Sequence, residues 1–202
     1  QMCIRDRLNI KQGGKGQVVD AAMVDGASVL MSMFYAFKAS GFWLEERESN
    51  MLDGGAHFYD TYECSDGKFL AVGAIEPQFY SVLLEKLEIS DEKFQNQHDR
   101  NQWPDLKEII KGKIKEKTRD EWANIFDGTD ACVAPVLNLS EAPNHSHMNA
   151  RNVFIDIDGT IQPAPAPRFS ETVSKIKHSA LKAGENNDEI CAEYNLDRSC
   201  FS

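Results

Sequence analysis

Between Ala21 and Ala39 the apolar residues Met23, Ala27, Leu30, Phe34 and Phe37 recur at three- and four-residue intervals, with Val24 and Met31 beside them. That is the period of an α-helix with a wide apolar stripe, and a stripe of this width is expected to be buried. The stretch "AHFYDTYECSDGKFLAVGAI" instead holds two runs rich in aromatic and β-branched residues, one on each side of Ser65-Asp66-Gly67. Asp-Gly between alternating runs predicts a β-hairpin. Helical periodicity then returns. Pro77 suits a first helical position, with Phe79, Leu83, Leu84 and Leu87 on one face. Trp103-Pro104 opens a second helix through Leu106, Ile109, Ile110 and Ile114. Thr118 with Glu121 forms a capping box ahead of Trp122, Ile125 and Phe126. "DACVAPVLN" reads as a strand that Pro135 confines to a sheet edge or a strand end.

The remaining stretches are expected to carry less structure. "QMCIRDR", residues 1–7, matches no helix or strand template and reads as a non-native leader. Gly13, Gly14 and Gly16 around Lys15 make a turn, after which Gln17 to Asp20 resembles a short strand. "KASGFWLEERESNMLDGG" reads as a linker, and "GTIQPAPAPRF" as a second, extended and proline-rich one. An amphipathic segment from Asp188 to Tyr194 closes the chain. The plan is therefore helix, linker, small α+β unit, linker and a short return, in which the chain leaves one unit and comes back to it.

With 202 residues, 42% of them hydrophobic and 27% charged, the composition is that of an ordinary folded chain rather than a disordered or fibrous one. The longest mostly apolar run, "VLMSMFYAF", is too short to cross a bilayer, and no secretory signal is visible. A net charge of −10 argues against nucleic acid or an anionic membrane as partner. Five scattered cysteines without a C-x-x-C pair read as reduced thiols, not as a disulfide frame or a zinc site.

Candidate chemistry is sparse. The glycines around Lys15 lack the Lys-Ser/Thr ending of a phosphate loop and follow no strand. In "VGAIEPQFY" a run of strand-forming residues ends at Glu76, and Pro77 then starts a helix. Ligands of α/β folds gather at such a strand end, and the helix N-terminus favours an ionised carboxylate there. Glu76 is thus placed either to orient an imidazole in general acid/base chemistry or simply to sit in solvent as a helix-capping residue. His57, in the glycine-ended linker, is the best placed histidine. His145 and His147 stand at i,i+2 without a third ligand, so no metal site is expected, and His98 and His178 fall in charged stretches.

"GKGQVVDAAMVDG", "NMLDGGAHFYDTYECSDGKFLAVGAIEPQFY", "WANIFDGTDACVAPVL" and "HSHMNARNVF" resemble the C-terminal half of the α-methylacyl-CoA racemases, a branch of the class III CoA-transferase (CaiB/BaiF-type) family. The similarity runs from about Lys15 to Phe169 and more weakly beyond. It implies an α/β fold: part of a Rossmann-like large domain plus a small α+β domain of the class III CoA-transferase fold. Residues 8–56 would then end the large domain and supply the linker, 57–142 would form the small domain, and 143–202 would return. It also implies an interlocked homodimer acting on an acyl-CoA thioester with no separate cofactor, since CoA is part of the substrate.

By the same resemblance, a His and an Asp on opposite sides of the carbon next to the thioester invert a 2-methylacyl-CoA. Both belong to segments before "GKGQ", so this chain alone would be inactive. Glu76 matches the glutamate that hydrogen-bonds the catalytic His, while Tyr59 and Ile75 match positions near the acyl pocket. His57 stands where relatives often carry proline, and a neutral role is expected for it. A cytoplasmic site is expected for a bacterial protein, a mitochondrial or peroxisomal one for a eukaryotic protein, although the "CFS" ending is no peroxisomal address.

Two alternatives compete with the racemase. A CoA-transferase of the same family would use an Asp nucleophile. It would carry a longer glycine run than Gly54-Gly55 and lack the glutamate, so racemase leads. A free-standing, non-catalytic small-domain module would have to leave the Ala21–Ala39 stripe exposed.

Overall fold

Where the chain must turn tightly, at Asp66-Gly67, Gly67 adopts φ +76, which costs a residue without Cβ nothing. In this computed structural model, which describes residues 2–176 and 178–201, the flanking runs pair as the predicted hairpin. Strand β1 (Tyr59–Glu63) lies antiparallel to β2 (Phe69–Gly73), with Tyr59 opposite Gly73 and Thr61 opposite Ala71. Strand β3 (Val133–Pro135) adds to the other side of β2, so Pro135 stands on an edge as its missing N–H requires. Alternation along the central strand sends Leu70, Val72 and Ala74 into the core.

Three helices cover that sheet's apolar face. Helix α4 (Pro77–Lys86) buries Tyr80 and Leu83, while α5 (Trp103–Ile114) buries Trp103, Leu106, Ile110 and Ile114. Helix α6 (Arg119–Phe126) starts at the predicted capping box: Thr118 Oγ1 accepts from the Glu121 N–H, and the Glu121 carboxylate accepts from the Thr118 N–H at 2.8 Å. The two buried indoles find acceptors for their N–H groups, Trp103 on the Gln97 carbonyl and Trp122 on the Ile114 carbonyl, both at 2.8 Å. Each fully buried Leu or Ile here contributes about 1.5–3 kcal/mol relative to exposure. The described cysteines Cys64, Cys132 and Cys191 are free thiols.

Several expectations are corrected. The opening residues are helical, in α1 (Met2–Lys11), because Arg, Leu, Lys and Met are good helix formers even where little packs against them. Gln17 to Asp20 is not a strand; an isolated extended segment has no ladder to join. The Ala21–Ala39 helix is broken into α2 (Met23–Leu30) and α3 (Ser32–Ala39). Ser28 and Ser32 bond back to the carbonyls of Val24 and Val29, which bends helices. Its stripe is not buried: Met23 is 90% and Leu30 82% exposed, and only Phe34 and Phe37 are half-covered.

The chain divides into two compact units, one ending at Val136 and the other starting at Leu137. In the second unit, the stretch expected to be an extended linker, Gly159 to Phe169, begins instead with the second strand of a hairpin, β4 (Phe154–Ile157) with β5 (Thr160–Pro163). Asp158 and Gly159 both take positive φ, +53 and +81, as a tight two-residue hairpin loop demands. This unit also holds the short helix α7 (Ser146–Ala150) and α8 (Asn187–Tyr194), which includes the predicted amphipathic segment. No described helix is long and apolar enough to cross a membrane.

Candidate functional site

The chain leaves β2 through a short stretch whose backbone is tied down at almost every group. Gly73 N–H donates to the Cys132 carbonyl (2.9 Å), Ala74 N–H to the Phe58 carbonyl (3.0 Å) and Ile75 N–H to the Gly73 carbonyl (3.0 Å). The carbonyls of Ala74 and Ile75 accept from the side-chain amide of Gln97, at 3.0 and 2.9 Å. Glu76 follows as the N-cap of α4, in extended conformation (φ −76, ψ 142), and its carbonyl accepts the Tyr80 N–H at 2.9 Å. The proline at the next position favours that extended geometry.

Glu76 is exposed, and its side chain makes no capping bond to its own helix. That side chain has no hydrogen bond or ion pair with any described residue. It stands at a helix N-terminus. Its field reaches the Cys132 thiol, whose pKa is raised by burial first, then by Glu76 and Asp130. The raised value argues against Cys132 as a nucleophile.

Tyr59, Ile75 and Glu76 come together at one end of the sheet. Tyr59 pairs with Gly73, and its ring lies over that glycine at a distance that would put a Cβ there in ordinary contact, 3.7 Å away. A cavity of about 460 Å³ opens beside this pair, lined by Tyr59, Leu52, Asp60, Gly73, Cys132 and Ala134. Ile75 and Glu76 lie outside that lining. Ile75 is half-buried against the core.

The linker that frames this end is held by polar groups. Asn50, fully buried, donates to the Leu44 carbonyl (2.9 Å) and to Asp53 (2.7 Å), and accepts from the Leu44 N–H (2.8 Å). Burial pushes the Asp53 carboxyl up, but hydrogen bonds from Asn50, Gly55 and Ser49 outweigh it and keep the group below the usual range. Lys107 pairs with Asp60 at 2.6 Å and also reaches the Gly54 carbonyl. Any Cβ at Gly55 would sit 2.7 Å from the Glu48 carbonyl, so that position needs glycine.

The histidines are distributed differently. His57 is completely buried, ringed edge-on by Phe58, Tyr80 and Phe94, with Nε2 2.7 Å from the Tyr80 hydroxyl and Nδ1 unpartnered. Burial, helped by His98, pushes its pKa down to about 4. The ring is therefore a neutral core residue that does not meet Glu76. The tautomer sets which of Nε2 and the Tyr80 hydroxyl donates across that 2.7 Å bond. His98 and His147 are exposed. Among the described residues no three His, Cys, Asp or Glu side chains gather to hold a metal. Gln97, Tyr80 and Asn50 escaped the sequence reading, because a buried amide inside a polar run such as "EKFQNQHDRNQW" carries no periodic signal.

Residues 7–187 match the CoA-transferase family III, and the chain belongs to that family. It is 43% identical over 190 residues to the alpha-methylacyl-CoA racemase of Mus musculus, covering 93% of this chain and 50% of the relative. The Homo sapiens racemase is 43% identical over 188 residues, covering 92% and 49%. The chain thus spans about half the length of the curated relatives it matches. Among solved structures, a CAIB/BAIF family protein from Brucella suis superposes with a TM-score of 0.69 at 23% identity, covering 95% of this chain and 52% of the other. Rv3272 from Mycobacterium tuberculosis gives 0.70 at 15% identity, covering 93% and 50%. The fold is that of about half of a CaiB/BaiF-type protein.

Proposed function

We propose that this chain is the part of an α-methylacyl-CoA racemase that carries the small α+β domain. The complete enzyme inverts the carbon next to the thioester of a 2-methylacyl-CoA by removing a proton from one face and returning one to the other. The observation that carries this reading is Glu76: held at a strand end by its backbone, with a side chain that makes no capping bond to its own helix and is open to solvent. The 43% identity to two racemases supports the same reaction.

A carboxylate in that state accepts the N–H of a histidine ring and leaves the ring's other nitrogen facing the substrate, fixing tautomer and orientation. The histidine and the opposing aspartate come from the preceding half of the enzyme. The thioester enolate between the two proton transfers needs electrostatic stabilisation, usually the largest catalytic contribution. Tyr59 and Ile75 border the acyl group. No cofactor is required beyond the CoA that arrives with the substrate. Residues 8–56 end a large Rossmann-like domain and supply the linker, 57–142 form the small domain, and 143–202 are a linker and the return to the large domain, with two copies interlocked as a homodimer. The work is lipid metabolism, in the cytoplasm of a bacterium or in a mitochondrion or peroxisome.

The test completes the chain with the preceding half of the mouse relative and follows exchange of the α-proton of a 2-methylacyl-CoA in heavy water. Glu76→Gln is expected to lower kcat about a hundredfold through lost orientation of the base. Undiminished exchange in that variant would remove the role assigned to Glu76. Transfer of CoA between acids without α-proton exchange would replace the racemase with a family transferase that uses an aspartate nucleophile.

A further inference from the structure

We propose that Gln97 is a positioning residue for Glu76, aiming its carboxylate by clamping the two carbonyls that precede it. The inference rests on the orienting role given to Glu76 above.

Gln97 is nearly buried (7% exposed) and leads out of the turn after α4, more than twenty residues from the strand end it touches. Its amide nitrogen donates to both Ala74 O and Ile75 O. Gln97 is itself anchored, since its carbonyl accepts the indole N–H of Trp103, a core residue on α5. The N–H groups of residues 73–75 are satisfied by backbone carbonyls, and the Glu76 carbonyl by Tyr80 N–H. That leaves the carbonyls of Ala74 and Ile75, at the point where β2 has ended and α4 has not begun. A single planar amide bridging two successive carbonyls fixes the peptide planes on both sides of Ile75, and with them the direction in which Glu76 leaves the backbone. The Glu76 side chain has no hydrogen bond of its own, so the clamp acts on where its Cα–Cβ bond starts and points, and the three side-chain torsions carry the carboxylate from there to its partner. A side chain that only filled space there would need no paired donors, and leaving two carbonyls unbonded is costly.

The experiment uses the chain completed by the preceding half of the mouse relative and compares Gln97→Met, which keeps length and volume but removes both donors, with Glu76→Gln and the double variant. Gln97→Met is expected to lower kcat about tenfold with KM unchanged, because misaiming a catalytic group by an ångström or less acts on the chemical step. The double variant should be no slower than Glu76→Gln alone, the non-additivity of two residues acting through one function. In the chain by itself, amide exchange at Ile75 should quicken about tenfold in Gln97→Met, while exchange within β1 stays as it was. Gln97→Glu, of the same shape, takes the same measurements if the methionine variant does not fold.

An unchanged kcat in Gln97→Met alongside a slow Glu76→Gln overturns the proposal and leaves the function standing. Losses that multiply in the double variant also overturn it, since they show a role independent of Glu76. A fast Glu76→Gln overturns both.

Discussion

Acidification should destabilise this protein through His57. The ring is completely buried among Phe58, Tyr80 and Phe94, and its pKa is pushed down from 6.5 to about 4 by burial, then by the nearby His98. The folded state therefore keeps the ring neutral where the unfolded chain has already taken up a proton. Between 6.5 and about 4 the unfolded state binds more protons, so stability falls as pH falls. Below the lower value both states are protonated and this contribution levels off. At roughly 1.4 kcal/mol per tenfold change in proton affinity, the whole window is worth about 3 kcal/mol, and the step from about pH 7 to about pH 5 about 2 kcal/mol.

The measurement is urea unfolding followed by tryptophan fluorescence, since Trp103 and Trp122 are buried in the same core. The control is His57→Gln, which offers Tyr80 an amide donor but does not titrate. Asp53, Asp66 and Glu121, all with lowered pKa values, also lose stabilisation in acid, but equally in both proteins. The difference between the two pH profiles isolates the histidine. Parallel profiles, or a His57 resonance titrating near the ordinary histidine value, would refute the reasoning.

Beyond the effects already given for Glu76→Gln and Gln97→Met, two further outcomes are expected. Thr118→Ala removes one half of the capping box of α6 and should cost about 1 kcal/mol in the same unfolding assay. The uncovered stripe on α2 and α3 should make the chain self-associate, giving oligomers on sizing chromatography that Met23→Gln with Leu30→Gln reduces; a clean monomer in the parent protein would contradict this.

Read along the chain, the local signals were sound where structure depends on neighbours a few residues apart. Asp66-Gly67 with its flanking alternation set the register of β1 on β2, and Thr118 with Glu121 marked the start of α6. Pro77 opened α4, and Pro135 put β3 on an edge. The same kind of signal at Asp158-Gly159 was masked by the prolines that follow it. Glu76, Tyr59 and Ile75 were named from the sequence, through a strand end and a resemblance, and the fold brings them to one end of one sheet.

What the sequence could not supply is whatever depends on partners far along the chain. His57 reads as a linker residue and is a core residue, because burial is decided by the helix carrying Tyr80 and the turn carrying Phe94. Gln97 looks like any polar residue in a polar stretch until the fold sets its amide against Ala74 and Ile75. The stripe on α2 and α3 is plain in the sequence, yet apolar periodicity states only that a face should be covered, and the described residues leave most of it open, Trp43 meeting Phe34 at one end. Periodicity and turn chemistry are local and survive in the sequence; burial and the satisfaction of polar groups are properties of the assembled fold.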